Sequence, residues 1–371
     1  MTDPLDLSNE FDLCGRVYLD GANQGPMGRR AIAAAERALD WKRDPSQIDD
    51  ATYFSLPDRI RGAASELFGC RPQDIAVATG ASHGISLVAC GLDWGAGDRV
   101  VIPSGEFPAN NLPWQGLRTL GVEVEVVEPG DVLTAICART RVVSVGHVNF
   151  SSGRRLDLDA IGAACEHHGA LFLVDASQSA GAVSLDVSRC KASVVAIAGY
   201  KWLMSPYGTG VTYVHPAWVE RLRLPTFNWA TILGADDFNR LADLELRHRP
   251  GAIRFDVPET AAFIHGAAMA ESLELLVEIG IDSVTAHATV LIDRLVAGLP
   301  PSFRVASSLV AEERSTILRL VGQTTEVTHQ AHRELREAGV TLSLREGGLR
   351  VSPGIWNTVS DIDVFLATLR R

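Results

Sequence analysis

Residues 156–181 read LDLDAIGAACEHHGALFLVDASQSAG, and their order is a helix, a tight stop, an apolar run and a polar turn. Asp157 or Asp159 can cap the helix, Ile161, Ala164 and Cys165 share one face, and Gly169 can end it. LFLVD is then apolar until its last residue, the pattern of a strand covered on both faces.

The same alternation extends outward from Ile75 to about His215. IAVAT (75–79), RVVIP (99–103), VEVEVV (122–127) and RVVSVG (141–146) are short β-type runs separated by amphipathic stretches, one of them a helix through Ile85 and Leu87. Such alternation predicts an α/β fold with a mostly parallel sheet. After Arg254 the texture shifts to AAFIHGAAMAESLELLVEIG (261–280), the strand candidates STILRLV (315–321) and VTLSLRE (340–346), and a terminal helix through Ile362 and Phe365, which reads as a smaller C-terminal α/β subdomain.

The bulk composition narrows the function classes. With 371 residues, 46% of them hydrophobic and 21% charged, the chain buries a large core and is not disordered. A net charge of −11 without a basic block repels nucleic acid, which favours small-molecule chemistry. The opening MTDPLDLSNEFDL has no basic start followed by an apolar run, and no later stretch is long enough to span a bilayer, so a cytoplasmic location is expected. The six cysteines contain no CxxC pair and read as reduced thiols.

In open α/β sheets, ligands bind beyond the carboxyl ends of the strands. Four such places carry polar or aromatic residues. Gly80, Ala81 and Ser82, with His83 after them, lie between a strand and a helix, where free amides and a hydroxyl can cradle a phosphate. Phe107 follows RVVIP and can stack on a flat ring. Asp175 ends LFLVD, where it can pair with a protonated pyridine nitrogen, and Gln178 can reach that ring's phenolic oxygen. Lys201 lies in AIAGYKWLMSPYGTGVTYV (196–214), after an apolar run and before a Pro/Gly-rich turn, where a desolvated amine can form an imine. Taken singly, each has a plain structural reading: a helix cap, a core aromatic, a turn aspartate, a surface lysine. Their order along the chain is what changes the reading.

That order, with VYLDGANQGPMGRRA (17–31), EFPANNLPWQ (106–115), VDASQSAGA (174–182) and YKWLMSPYGTG (200–210), resembles the aminotransferase class V family of pyridoxal 5′-phosphate (PLP) enzymes, which includes cysteine desulfurases, kynureninases and isopenicillin N epimerase-like proteins. The resemblance implies PLP fold type I: a mostly parallel, seven-stranded sheet sandwiched by helices in a large domain (31–255), a small C-terminal domain (256–371), and an N-terminal segment (1–30) that joins the small domain and the site. It implies PLP held as a Schiff base on Lys201, with Asp175 as the pyridine partner and Phe107 as the stacking aromatic. Gln178 and Asn149 are implied as ring-side contacts, and Gly80, Ala81, Ser82, His83 and Tyr200 as the phosphate end. GGLRVSPGIWNTVSDIDVFL (347–366) resembles the family's carboxylate-binding segment, which makes Arg350 the bidentate partner of a substrate carboxylate, with Asn23 and Asn357 on the substrate side and Asn357 also supporting that loop. AIRFDVPET (252–260) resembles a segment lent to a partner's phosphate site, so a homodimer is expected, with Arg254, Asp256, Glu259 or Thr260 near the partner's cavity.

Three departures refine the expectation. A desulfurase needs a nucleophilic thiol on a loop just before the arginine, and LREGGLRVS (344–352) has none. Phe107 stands where desulfurases carry a ring-stacking histidine, so proton transfer falls more heavily on Lys201. Ala198, Gly199 and Tyr200 replace the serine and histidine common before the lysine. These features favour an amino-acid-like substrate and a non-desulfurase lyase or an aminotransferase. An epimerase or racemase of the same family, and a PLP-binding protein without turnover, are the alternatives. A nicotinamide oxidoreductase is disfavoured because no GxGxxG follows an early strand.

Overall fold

The computed structural model describes residues 5–7, 9–224 and 227–370. Thirteen strands among them fall into three sheets. In chain order they are β1 (Val17–Tyr18), β2 (Ile75–Ala78), β3 (Arg99–Pro103), β4 (Glu123–Val127), β5 (Thr140–Gly146), β6 (Leu171–Asp175), β7 (Val194–Ala198), β8 (Gly210–Val214), β9 (Phe303–Val305), β10 (Leu318–Gly322), β11 (Val340–Thr341), β12 (Ser343–Arg345) and β13 (Gly348–Val351).

The large sheet has seven strands in the order β2-β8-β7-β6-β5-β3-β4. All its pairings are parallel except those of β8, which runs antiparallel to both β2 and β7. Strand β6 shows why the sheet needs helices on both faces. Phe172 and Val174 join one buried apolar cluster, while Leu171 and Leu173 join another on the opposite side, as the two-residue repeat of a strand dictates. The architecture expected from the sequence, a mostly parallel sheet between helical layers, is what the chain adopts. Local signals hold at the helix Leu158–His168. Asp157, rather than Asp159, is its cap and accepts from the Ala160 amide, and Gly169 ends it in a left-handed conformation.

The second sheet, β12-β13-β10-β9, is antiparallel throughout. The N-terminal segment is stitched to this end of the molecule. β1 pairs with β11, Asp20 bridges to Ser352, and Leu19 is buried with Leu291, Leu295, Leu320 and Phe365. The helix Phe263–Ile279 instead packs Met269, Ala270, Leu273 and Leu276 into the large-sheet core, and the next helix, Ile281–Gly298, carries Leu291, Ile292 and Leu295 to the small one. The chain therefore passes between cores near Gly280, because apolar periodicity marks a helix face without saying which sheet it covers. Among the described residues no single helix is long and apolar enough to cross a membrane.

Candidate active site

The carboxyl ends of β2, β5, β6 and β7, with the turn after β3, open onto one cavity of about 210 Å³. Its lining brings together Gly80, Ala81, Ser82, His83, Phe107, Asp175, Gln178, Tyr200 and Lys201, nine residues singled out from the sequence. At one end the helix Ala81–Gly91 begins at Gly80 with no side-chain cap, so its first amides remain available to an anion. Close packing sets that helix start. A Cβ on Gly210 of β8 would come within 2.8 Å of the Gly80 Cα, and one on Gly84 within 2.9 Å of the Ala196 side chain. His83 turns from the opening, its Nε2 lying 3.0 Å from the Phe255 carbonyl oxygen, and burial lowers its imidazole below the usual range.

Lys201 follows β7 and is only 7% exposed, with Nζ 5.5 Å from the centre of the Phe107 ring and 5.6 Å from that of Tyr200. Burial pushes its ammonium down to about 8; the Asp175 charge opposes that shift and Arg350 adds to it. The N-terminal segment holds this loop in place, since Gly25 donates its amide to the Tyr200 carbonyl and a Cβ there would meet the Lys201 carbonyl oxygen at 2.0 Å. Asp175 ends β6 with one carboxylate oxygen accepting from the Ser177 amide at 2.9 Å. Gln178 donates to the Ala22 carbonyl and accepts from the Trp202 indole, which fixes its amide and leaves one N–H for the cavity. Tyr207 leans over Tyr200 at the mouth, ring centres 4.6 Å apart.

The arginine expected to hold a carboxylate lies outside the cavity lining. Arg350 is 2% exposed; one terminal nitrogen donates to Asp20 at 3.1 Å and the other to the Phe150 carbonyl at 2.9 Å. Phe150 itself lines the cavity, so Arg350 stands one residue behind the wall. Asp20 is held in turn by the Ser343 hydroxyl. Asn357 is also buried away from the cavity. Its side chain accepts from the Gly354 amide and donates to Asp361, so it braces the loop. Asn23 is exposed, and Asn149 organises a turn by accepting from the Ser151 and Ser152 amides and donating to the Gly105 carbonyl. His147 is buried against a separate cleft. Asp256 turns inward to Arg61 and the Val77 amide, Arg254 pairs with Glu220, Thr260 is buried, and Glu259 is exposed.

Two residues that matter here escaped the sequence reading. Glu106, next to Phe107, enters the cavity wall as a half-buried carboxyl, and Asp20 occupies Arg350. The first had a usable signal, a lone acid between an apolar strand and an aromatic. The second had none, because its partner is 330 residues away.

A family model described as aminotransferase class-V matches residues 51–365. The chain belongs to that family. It is 29% identical to a probable cysteine desulfurase of Methanothermobacter thermautotrophicus, covering 76% of this chain and 72% of the relative. It is 28% identical to the kynureninase of Deinococcus radiodurans, covering 79% and 73%. Among solved structures it resembles C-DES, described in one structure as a cystine C–S lyase in complex with its product cysteine persulfide (TM-score 0.86, 22% identity, 96% of this chain and 98% of that one). A second C-DES structure carries glycine covalently linked to the PLP cofactor (TM-score 0.87, 21% identity, 96% and 97%).

The chain is accordingly a PLP-dependent enzyme of the class-V family. The donor set in the cavity suits that cofactor: uncapped helix amides for its phosphate, an aromatic face for its ring, a carboxylate for its ring nitrogen and a desolvated amine for its aldehyde. Space is available too, because a Cβ built on Gly80 meets nothing within 4 Å.

Proposed function

We propose that this class-V enzyme cleaves or eliminates a side chain from an amino-acid-like substrate without acting as a cysteine desulfurase, or transfers its amino group. The observation that carries the reading is the cavity lining itself. It presents Lys201 as the amine and Phe107 as the stacking ring, and among the described residues it contains no cysteine. The turn before Arg350 agrees with this. Glu346 and Gly347 both have positive φ and close β12 onto β13 as a two-residue hairpin, leaving no length for a thiol-bearing loop. The desulfurase names among the relatives describe those proteins, and what speaks against desulfuration here is the missing nucleophile.

Bound PLP supplies an electron-withdrawing ring that stabilises negative charge arising at the substrate Cα. The protein's part is to hold, orient and move protons. Lys201, with an amine that loses its proton near pH 8, is the group placed to take the Cα proton and return it. Asp175 offers its carboxylate at the ring end. Arg350 orients a substrate carboxylate through the N–H groups that Asp20 and the Phe150 carbonyl leave free, which requires the Phe150 wall to give way.

A product assay across amino acids separates the outcomes. Keto acid, ammonia and a released side-chain fragment with the cofactor unchanged identify elimination. Keto acid with stoichiometric pyridoxamine phosphate identifies amino transfer. Persulfide formed on the protein from cysteine would sink the proposal, and racemised substrate with neither product would replace it by epimerisation.

A further inference from the structure

Glu106 is the one acid in the cavity wall that the reading above leaves unused. Its carboxyl accepts from the Gly146 amide at 2.7 Å and from the Asn110 side-chain amide at 3.1 Å. Asn110 is itself fixed by the Ser144 hydroxyl and the Trp114 indole. The carboxyl takes the place of a side chain on the strand, since a Cβ on Gly146 would lie 2.9 Å from a Glu106 oxygen. Gly146 is the register partner of Asp175 across the parallel β5–β6 pair. Register partners project to the same face, and neighbouring strands lie roughly 5 Å apart. Glu106 and Asp175 therefore stand abreast at the floor of the cavity.

Burial pushes the Glu106 carboxyl up to about 7; the Gly146 and Asn110 hydrogen bonds oppose that rise, and the Asp175 charge adds to it. The other titratable groups lining the cavity are His83, Tyr200, Lys201 and Tyr207. His83 is tied to the Phe255 carbonyl, Lys201 stands by the Phe107 and Tyr200 rings, and Asp175 is the one whose charge acts on Glu106.

We infer that Glu106 is a second carboxyl of the ring subsite, one that gives up its proton when a cationic ring nitrogen is held against Asp175. The inference rests on the reading that Asp175 faces that nitrogen. The step is a simple proton loss: the Glu106 O–H bond breaks, the electron pair stays on the carboxylate, and the proton leaves to solvent. Two negative charges then face one ring cation, so the ring keeps its proton and its electron-withdrawing power at pH values where Asp175 alone would hold it less firmly. Glu106 acts as a positioning and charge-setting residue, since nothing places it against the substrate.

The test uses 4′-deoxypyridoxine 5′-phosphate, which carries the ring and phosphate without an aldehyde, so Lys201 attachment does not enter the pH dependence. Its affinity for the wild-type apoprotein, divided by that for Glu106→Gln, is expected to rise about fivefold or more between about pH 6 and about pH 8. A flat ratio overturns the inference. Infrared difference spectra near pH 7 supply a readout independent of variant stability: probe binding should bleach a protonated-carboxyl band in the wild type and not in Glu106→Gln, and no bleach in the wild type overturns the idea. Asp175→Asn separates the two layers. If that variant binds the probe as tightly as the wild type, it is the placement of the ring nitrogen that fails, and the role of Glu106 falls with it.

Discussion

The wall around Lys201 and the corner around Arg350 are built on opposite principles. The wall takes its residues from strand ends of one sheet and the turns that follow them, so neighbouring strands present the uncapped helix start, Phe107, Asp175 and Lys201 to a common opening. The corner is assembled from three distant segments: Arg350 on β13, Asp20 from the N-terminal stretch and the Phe150 carbonyl from the turn after β5. In the wall, polar groups are left available. In the corner, the arginine's charge is already matched by an internal carboxylate, with both partners at most 6% exposed. A site that leaves groups available sacrifices little stability when one is removed, whereas one whose charge is paired internally couples any loss of function to a loss of folding.

The largest effect expected in the wall comes from Lys201→Ala. That variant should bind PLP without a covalent link, show no borohydride-trappable adduct on the lysine loop, and lose turnover by roughly 10²–10⁴-fold, the usual contribution of a positioned acid/base group. The wild type adds a pH signature. Because burial brings the amine down to about 8 from the ordinary 10.5, its neutral fraction, and with it the rate of cofactor attachment, should climb as pH rises toward 8 and flatten above. Full turnover in Lys201→Ala would remove the central premise of the wall.

The corner predicts a different pattern. Asp20→Asn removes one partner of a buried ion pair, for which a cost of about 3–5 kcal/mol is typical, so the variant should melt well below the wild type. If Asp20 competes with a substrate carboxylate for Arg350, the folded fraction should bind carboxylate-bearing substrates more tightly, giving a lower KM beside a lower Tm. A rise in KM instead would make Asp20 a brace that orients Arg350, and an unchanged Tm would mean the pair contributes nothing to folding.

The same contrast explains what the sequence could disclose. Strand ends are legible because an apolar run closed by a polar residue is a local pattern, which makes Asp175 a candidate, and the order of the motifs along the chain is what adds Lys201 to it. The mostly parallel sheet followed from alternation and its seven strands from the family resemblance, but the antiparallel direction of β8 followed from neither: a buried strand reads alike in either direction. Long-range pairings left no trace. Nothing around Asp20 announces Arg350, which lies 330 residues away. Glu106 lay in plain view beside Phe107, but its meaning depends on Gly146 having no side chain and on Gly146 standing next to Asp175.

The smallest effect sharpens the comparison most, because it should touch function while sparing the fold. Phe107 is 43% exposed and meets Phe150 edge-on with ring centres 5.3 Å apart, so little core packing depends on it. Replacing its ring by leucine keeps most of the apolar bulk and removes the flat face. Stacking of this kind is worth about 0.5–1.5 kcal/mol, so Phe107→Leu should weaken PLP binding by roughly 2–12-fold at an unchanged melting temperature of the apoprotein. Equilibrium dialysis and apoprotein melts measure the two arms separately. A drop in apoprotein stability as large as that of Asp20→Asn would erase the distinction between wall and corner, and unaltered PLP affinity would mean that the ring does not lie against Phe107.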